Sequence, residues 1–289
     1  MTSTVTAKGK PCRIREKHIT FGSNGINLRG QVLLPENASA DSPVPGVVLC
    51  HGFGSSYRQT RPSARLLAQR GIATLIFDMR GHCSSEGIVD GKMVDDIVDA
   101  WQILKDYPEV DEDKMGLAGH SLGAMSAIMA AEKLQPKALV ALSSPPQLNH
   151  CMLFEVPQDF GHWGQKRSYV MKYPQQGAFP WLSGLAAWGC CAWMYLFGYT
   201  VKVDLKKFIT SALQMNMKNV LADLKDCSKL FVHCAGDSVT PWEKLAPVYE
   251  TAAAPKDLIL SKGGLHTTPL MSGQLRLQWV DWLAEKLKK

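Results

Sequence analysis

Met115-Gly116-Leu117-Ala118-Gly119-His120-Ser121-Leu122-Gly123-Ala124-Met125-Ser126-Ala127 reads as a short apolar strand, a G-x-S-x-G pentapeptide and the opening of a helix rich in small residues. A sharp strand-to-helix turn forces its central residue into a strained backbone, and side chains two positions to either side would collide there. Gly119 and Gly123 remove that collision. Ser121 then stands at a helix N-terminus, where free N–H groups and the helix dipole favour a developing anion. This stretch predicts a nucleophilic serine on an α/β scaffold.

Outward from the turn, short apolar runs alternate with amphipathic ones, the pattern of a mostly parallel sheet flanked by helices. His18 to Phe21 and Leu28 to Leu34 read as an opening antiparallel pair joined through Ser23-Asn24-Gly25. Val44 to Cys50, Ala73 to Phe77, Lys114 to Ala118, Ala138 to Leu142, Leu230 to His233 and Asp257 to Leu260 are of the buried parallel type, which makes eight strands. Arg61 to Arg70, Val94 to Asp106, Leu122 to Lys133, Trp242 to Thr251 and Gln274 to Lys288 have helical apolar spacing, with Gly71 as a helix-terminating glycine. The alternation lapses between Pro145 and Lys206. The expected organisation is a core in two parts, 1–144 and 207–289, with a cap subdomain, 145–206, inserted after the sixth strand.

A serine needs a general base, itself held by an acid. In this architecture the chain order is Ser, then Asp or Glu, then His. Asp237 follows the apolar run Leu230-Phe231-Val232-His233-Cys234 directly and is the expected acid; Asp223, Asp226 and Asp257 are its competitors. Downstream of Asp237 the chain has one histidine, His266, in a loop between the last strand and the last helix. It is the expected base. His120 precedes the nucleophile and points away from the reacting face, so packing or a local hydrogen bond accounts for it. His233 lies within a strand and reads as a core histidine. Two N–H donors are expected to form an oxyanion hole, that of Leu122 and that of Phe53 in His51-Gly52-Phe53-Gly54. Phe53 reads either as a wall of the acyl pocket or as a core plug.

His51-Gly52-Phe53-Gly54, Asp78-Met79-Arg80-Gly81-His82-Cys83-Ser84-Ser85, the Ser121 pentapeptide, Gly236-Asp237 and His266, in that order, make the chain similar to α/β-hydrolases over nearly its whole length. Within that superfamily the Asp78 to Gly87 segment resembles cinnamoyl and feruloyl esterases and serine aminopeptidase-like hydrolases. Those relatives often carry glycine where Cys83 stands. The resemblance implies hydrolysis of carboxylic esters through an acyl-enzyme on Ser121, without cofactor or metal. The elbow carries no aspartate nucleophile of the dehalogenase or epoxide hydrolase kind. Peptidase or amidase, thioesterase and carbon–carbon hydrolase chemistry can use the same three residues, and a ligand receptor or a peripheral membrane protein docking through its cap are the non-enzymatic readings. Asp78 and Arg80 read as a charged pair that fixes its loop more readily than it binds substrate.

The full chain of 289 residues is long enough for one α/β domain with an insertion, and its 46% apolar and 20% charged residues are ordinary globular usage. A net charge of +6 is dispersed, with Lys286, Lys288 and Lys289 as a solvated helix end, so no nucleic-acid footprint is expected. Eight cysteines without C-x-x-C pairs read as free thiols, and the N-terminal ten residues lack the apolar core of a secretory signal. Both point to the cytoplasm. Trp181 to Val201 carries no charge, but its three glycines favour a buried or ligand-facing helix over a membrane span. The aromatic cap, with Trp163, Trp181 and Trp188, is expected to join Phe53 and His120 in lining the site for a small-molecule ester. The sequence carries no signal for oligomeric state.

Overall fold

The computed structural model describes residues 13–146 and 200–289. Eight strands appear in chain order: β1 (Ile14–Ser23), β2 (Ile26–Pro35), β3 (Val44–Cys50), β4 (Ala73–Phe77), β5 (Val110–His120), β6 (Ala138–Leu142), β7 (Ser228–Cys234) and β8 (Lys256–Ser261). They form one sheet in the order β1-β2-β4-β3-β5-β6-β7-β8. β2 pairs antiparallel with β1 and β4, and every later neighbour is parallel. Asn24 and Gly25, at φ 47° and 79°, close the β1–β2 hairpin with two left-handed residues, the turn that matches strand twist.

Parallel neighbours need crossovers, and helices supply them. The described helices are α1 (Tyr57–Gln69), α2 (Met93–Lys105), α3 (Leu122–Leu134), α4 (Leu205–Gln214), α5 (Met217–Asp223), α6 (Trp242–Thr251), α7 (Thr268–Met271) and α8 (Gly273–Lys288). Alternate strand residues feed two core layers. Val48, Leu75, Phe77, Leu117 and Leu139 face α2, α3, α5 and α6, whereas Val47, Leu49, Ile76, Val140 and Val232 face α1 and α8 through Leu67, Trp279, Val280 and Leu283. The sheet is therefore covered on both sides, as the apolar runs require.

The strand bounds fall within a few residues of those expected. β5 starts earlier, at Val110, because a register shift between Pro45 and Gly46 lets β3 pair with it below Met115. α1 starts at Tyr57, not Arg61, since Ser56 accepts from Arg58 N–H at 3.3 Å and caps the helix there. The helices α5 and α7 are too short to show an apolar period; α4, absent from the expected helices, has one, with Leu205, Phe208, Ile209, Ala212 and Leu213 at helical spacing. Residues 200–204 run beside the segment after β4, with bridges His82–Val201 and Val89–Val203. The expected cap falls mostly on residues 147–199, outside the described residues, as do Trp163, Trp181 and Trp188. No helix among the described residues is long and apolar enough to cross a membrane.

Asp78 and Arg80 are not paired with each other. Arg80 makes a two-pronged contact with Asp96 of α2, Nη2 to Oδ1 at 2.6 Å and Nε to Oδ2 at 3.0 Å, and reaches Asp90 at 3.3 Å. Ser23 Oγ donates to the same Asp96 at 2.8 Å. Asp78 instead accepts from Ser56 Oγ at 2.7 Å, Tyr57 N–H at 2.9 Å and Ser84 Oγ at 2.6 Å. Both residues thus fix the loop after β4, each through its own network. Asp96 is fully buried and Arg80 nearly so. Asp96→Ala, which strands the guanidinium, is expected to cost about 3–5 kcal/mol in urea unfolding. Arg80→Met combined with Asp96→Leu is expected to lie closer to wild type.

Candidate active site

The strand order reverses at β3. The chain passes from β3 to β4 on one side and then to β5 on the other, which makes the carboxyl ends of β3 and β5 the switch point of the sheet, where open α/β sheets bind their ligands. Each of these two strands delivers one part of the site. At the end of β5, Ser121 has φ 55° and ψ −121°, a conformation L-residues avoid, directly before α3. Its N–H donates to Leu142 O at 2.9 Å, and its own carbonyl accepts from Ala124 and Met125. A Cβ on Gly119 would lie 2.3 Å from Gly123 O, and one on Gly123 would lie 2.3 Å from His51 O. Both glycines are therefore steric requirements of the turn, as expected from its sequence.

At the end of β3, a Cβ on Gly52 would stand 3.1 Å from Ser121 Cβ, so this loop lies against the serine. The Gly52 carbonyl accepts from His51 Nδ1–H at 2.7 Å and from Ser55 N–H at 3.2 Å. A trans peptide sets its N–H opposite its C=O, so anchoring that carbonyl aims Phe53 N–H the other way. Gly54 N–H donates to His82 Nε2 at 3.1 Å, His82 Nδ1–H donates to Arg80 O at 3.0 Å, and Met79 N–H donates to His51 Nε2 at 3.0 Å. Each histidine gives one proton and takes another, which only the neutral ring can do. Burial, with the neighbouring His51 second, pushes His82 down to about 3, and burial likewise lowers His51 against the pull of Asp78. The two rings meet edge to face at 4.8 Å. Leu122 begins α3, so its N–H has no intrahelical acceptor.

Asp237 and His266 come together as expected: His266 Nδ1 donates to Asp237 Oδ2 at 2.9 Å. Asp237 is buried beyond β7, and Val239 N–H and Thr240 N–H reach its Oδ1 at 2.9 and 3.0 Å while Thr240 Oγ1 reaches Oδ2 at 2.8 Å. Burial raises the carboxyl, yet the bonds from His266 and Thr240 outweigh it and leave its pKa below the ordinary range. Of the competitors, Asp223 ends α5 and Asp257 lies on β8, where it accepts from Trp282. His120 holds the His266 loop, donating from Nε2 to His266 O at 3.0 Å with the rings 4.9 Å apart. His233 is fully buried and donates to Thr240 O at 2.6 Å.

Phe53 is half-buried, stacked on Phe208 of α4 at 5.7 Å and edge-on to His82. It packs against the core layer that holds Phe208. Cys83 has φ 42°, which explains why glycine suits that position. Sequence reading passed over Thr240, His51 and His82 as site residues. Thr240 had a signal, since a hydroxyl three residues after Asp237 is turn spacing. For the histidines the signal was weaker, because their partners are backbone atoms of distant segments.

The family model described as serine aminopeptidase, S33 matches residues 41–177, somewhat under half of the chain. "Thiohydrolase aneE" of Aspergillus aculeatus is 34% identical over 37% of this chain and 34% of its own length. The matches to the first three curated relatives span between 34% and 46% of those proteins. Among solved structures, the α/β hydrolase GrgF from Penicillium sp. sh18 superposes with a TM-score of 0.72 at 20% identity, covering 95% of this chain and 100% of that one. Est1E from Butyrivibrio proteoclasticus, with ferulic acid bound, gives a TM-score of 0.66 at 19% identity over 94% of this chain and 100% of its own. These likenesses identify the fold as that of the α/β-hydrolases.

The buried neutral histidines carry a pH dependence. His82 and His120 are held near 3 in the folded chain, against an ordinary 6.5 when unfolded. Between those values the unfolded state binds the additional protons, so the stability contribution is complete above about pH 6.5 and is lost as pH falls toward 3. Each histidine adds a slope of up to about 1.4 kcal/mol per pH unit. His82→Gln is expected to make unfolding free energy less steep between pH 6 and 4, by about one proton. An unchanged slope in that variant would show that His82 does not titrate in this way.

Proposed function

We propose that this chain, which has the α/β-hydrolase fold, is a serine hydrolase that cleaves carboxylic esters or thioesters through an acyl-enzyme on Ser121. The observation that carries the reading is the placing of a strained serine against Gly52 at the strand-order reversal, together with the Asp237–His266 pair, whose histidine His120 ties to the elbow. Strain at a non-glycine residue persists only where its surroundings impose it, and it is a recurrent mark of reacting positions.

The residues divide the work by their chemistry. Ser121 Oγ attacks the acyl carbonyl while His266 Nε2 takes its proton. Asp237 holds Nδ1–H and balances the imidazolium that forms. The N–H groups of Phe53 and Leu122 receive the oxyanion, each worth roughly 3 kcal/mol in the transition state. His266 then returns the proton to the departing alcohol or thiol, and a water activated by the same ring releases the acid. Phe53 and the expected cap aromatics, Trp163, Trp181 and Trp188, suit an apolar acyl group, with His120 placed to shape the base loop.

Thioesters form the second reading. It is favoured by the thiohydrolase similar to this chain, whose name states that activity. Parallel assays of p-nitrophenyl butyrate and butyryl-N-acetylcysteamine separate the two by their kcat/KM. Ser121→Ala and His266→Ala are expected to lower kcat by about 10⁴-fold or more, and Asp237→Asn by about 10⁴-fold. A fluorophosphonate is expected to label the wild type and not Ser121→Ala. Retained turnover in Ser121→Ala would overturn the assignment.

A further inference from the structure

Thr240 has no part in the three-residue relay, yet it meets two members of it. Its side chain is fully buried, with Oγ1 2.8 Å from Asp237 Oδ2, 3.2 Å from His266 Nδ1 and 3.4 Å from Ser143 O. A hydroxyl has one proton to give. The shortest and most strongly charged acceptor is the carboxylate, so that proton goes to Asp237 and the oxygen lone pairs face His266 Nδ1–H. The imidazole N–H is thereby shared between Oδ2 at 2.9 Å and Oγ1 at 3.2 Å. The two carboxylate oxygens are served differently. Oδ1 takes only the backbone N–H groups of Val239 and Thr240, whereas Oδ2 takes the two side chains.

Thr240 is itself held from behind. Its carbonyl accepts from His233 Nε2 at 2.6 Å, and His233 lies in β7 with Nε2 3.6 Å from Asp237 Oδ2. From the facing elements, His233 and Cys234 of β7, His120 of the elbow, Glu243 of α6 and His51 of the β3 loop are the titratable groups around this cluster, and burial and the Asp237 charge raise the Cys234 thiol. Burial lowers His51, His120 and His233, which leaves Asp237 as the charge in contact with the His266 ring.

We propose that Thr240 is a positioning residue whose hydroxyl orients Asp237 Oδ2 and draws charge from it, and so sets the proton affinity of His266. This rests on the hydrolase reading for its catalytic meaning, but its physical content does not need turnover. A donor on Oδ2 disperses the negative charge that the imidazolium would otherwise meet. Removing it strengthens the attraction for the imidazolium more than losing the longer 3.2 Å contact weakens it.

The test is a ¹⁵N NMR titration of the His266 imidazole in the full-length chain, alongside the pH profile of kcat/KM. Thr240→Val keeps shape and the backbone N–H bond to Oδ1 while deleting the hydroxyl. It is expected to raise the His266 midpoint by about 0.5–1 pH unit, to move the acid limb of kcat/KM by the same amount, and to lower kcat several-fold with KM little changed. Thr240→Ser is expected to restore all three. A midpoint in Thr240→Val that matches wild type, or a serine variant as altered as the valine one, overturns the proposal. If Thr240→Val does not fold, Thr240→Ala against Thr240→Ser carries the same comparison. A wild-type chain without turnover would instead overturn the hydrolase reading, and the titration would still decide the role of Thr240.

Discussion

Close approach of backbones between β3 and β5 is the constraint on which the rest of the site depends. The turn at Ser121 lies on the β3 end, with Gly123 over the carbonyls of Cys50 and His51 and Gly119 over Gly123 itself. No side chain fits in either place, and with glycine there the serine is driven to φ 55°. The same closeness sets Gly52 against Ser121. Because β3 is also the strand at which sheet order reverses, that closeness occurs at the switch point of the sheet.

Neutral histidines extend this constraint outward. His51 and His82 satisfy backbone groups of the loops after β3 and β4, and the neutral ring suits them because it offers one donor and one acceptor at opposite ends. An amide side chain has the same capacity but not the rigid planar reach, and a hydroxyl is too short. Burial keeps the rings uncharged, so the peptide of Phe53 is aimed by fixed dipoles. His120 links the elbow to the His266 loop by the same kind of bond. Preorganised donors of this sort stabilise a developing charge without reorganising during the reaction.

The acid end follows the opposite rule. Asp237 is as buried as the histidines yet keeps its charge, since four donors reach its two oxygens. Desolvation pushes its pKa up, and the hydrogen bonds outweigh that penalty. An ionised acid beside an otherwise uncharged cluster directs its field onto His266.

Much of this was legible from residue order alone. The eight strands and the elbow follow from local rules: apolar period, turn chemistry, and the absence of a Cβ where strand meets helix; the choice of Asp237 and His266 rests on the chain order that this architecture implies. Those rules act within a few residues, so they survive in one dimension. The helices α5 and α7 escaped because they are too short for a period to show, whereas α4 carries the period in Leu205, Phe208, Ile209, Ala212 and Leu213 but starts inside the expected cap. Tertiary structure alone decided that Asp78 and Arg80 serve separate networks, that His51 and His82 clamp the loops after β3 and β4, and that Thr240 meets both Asp237 and His266. Each of these is a hydrogen bond whose geometry depends on where the fold sets a distant or turning segment, and directional bonds of that kind leave no period in a sequence.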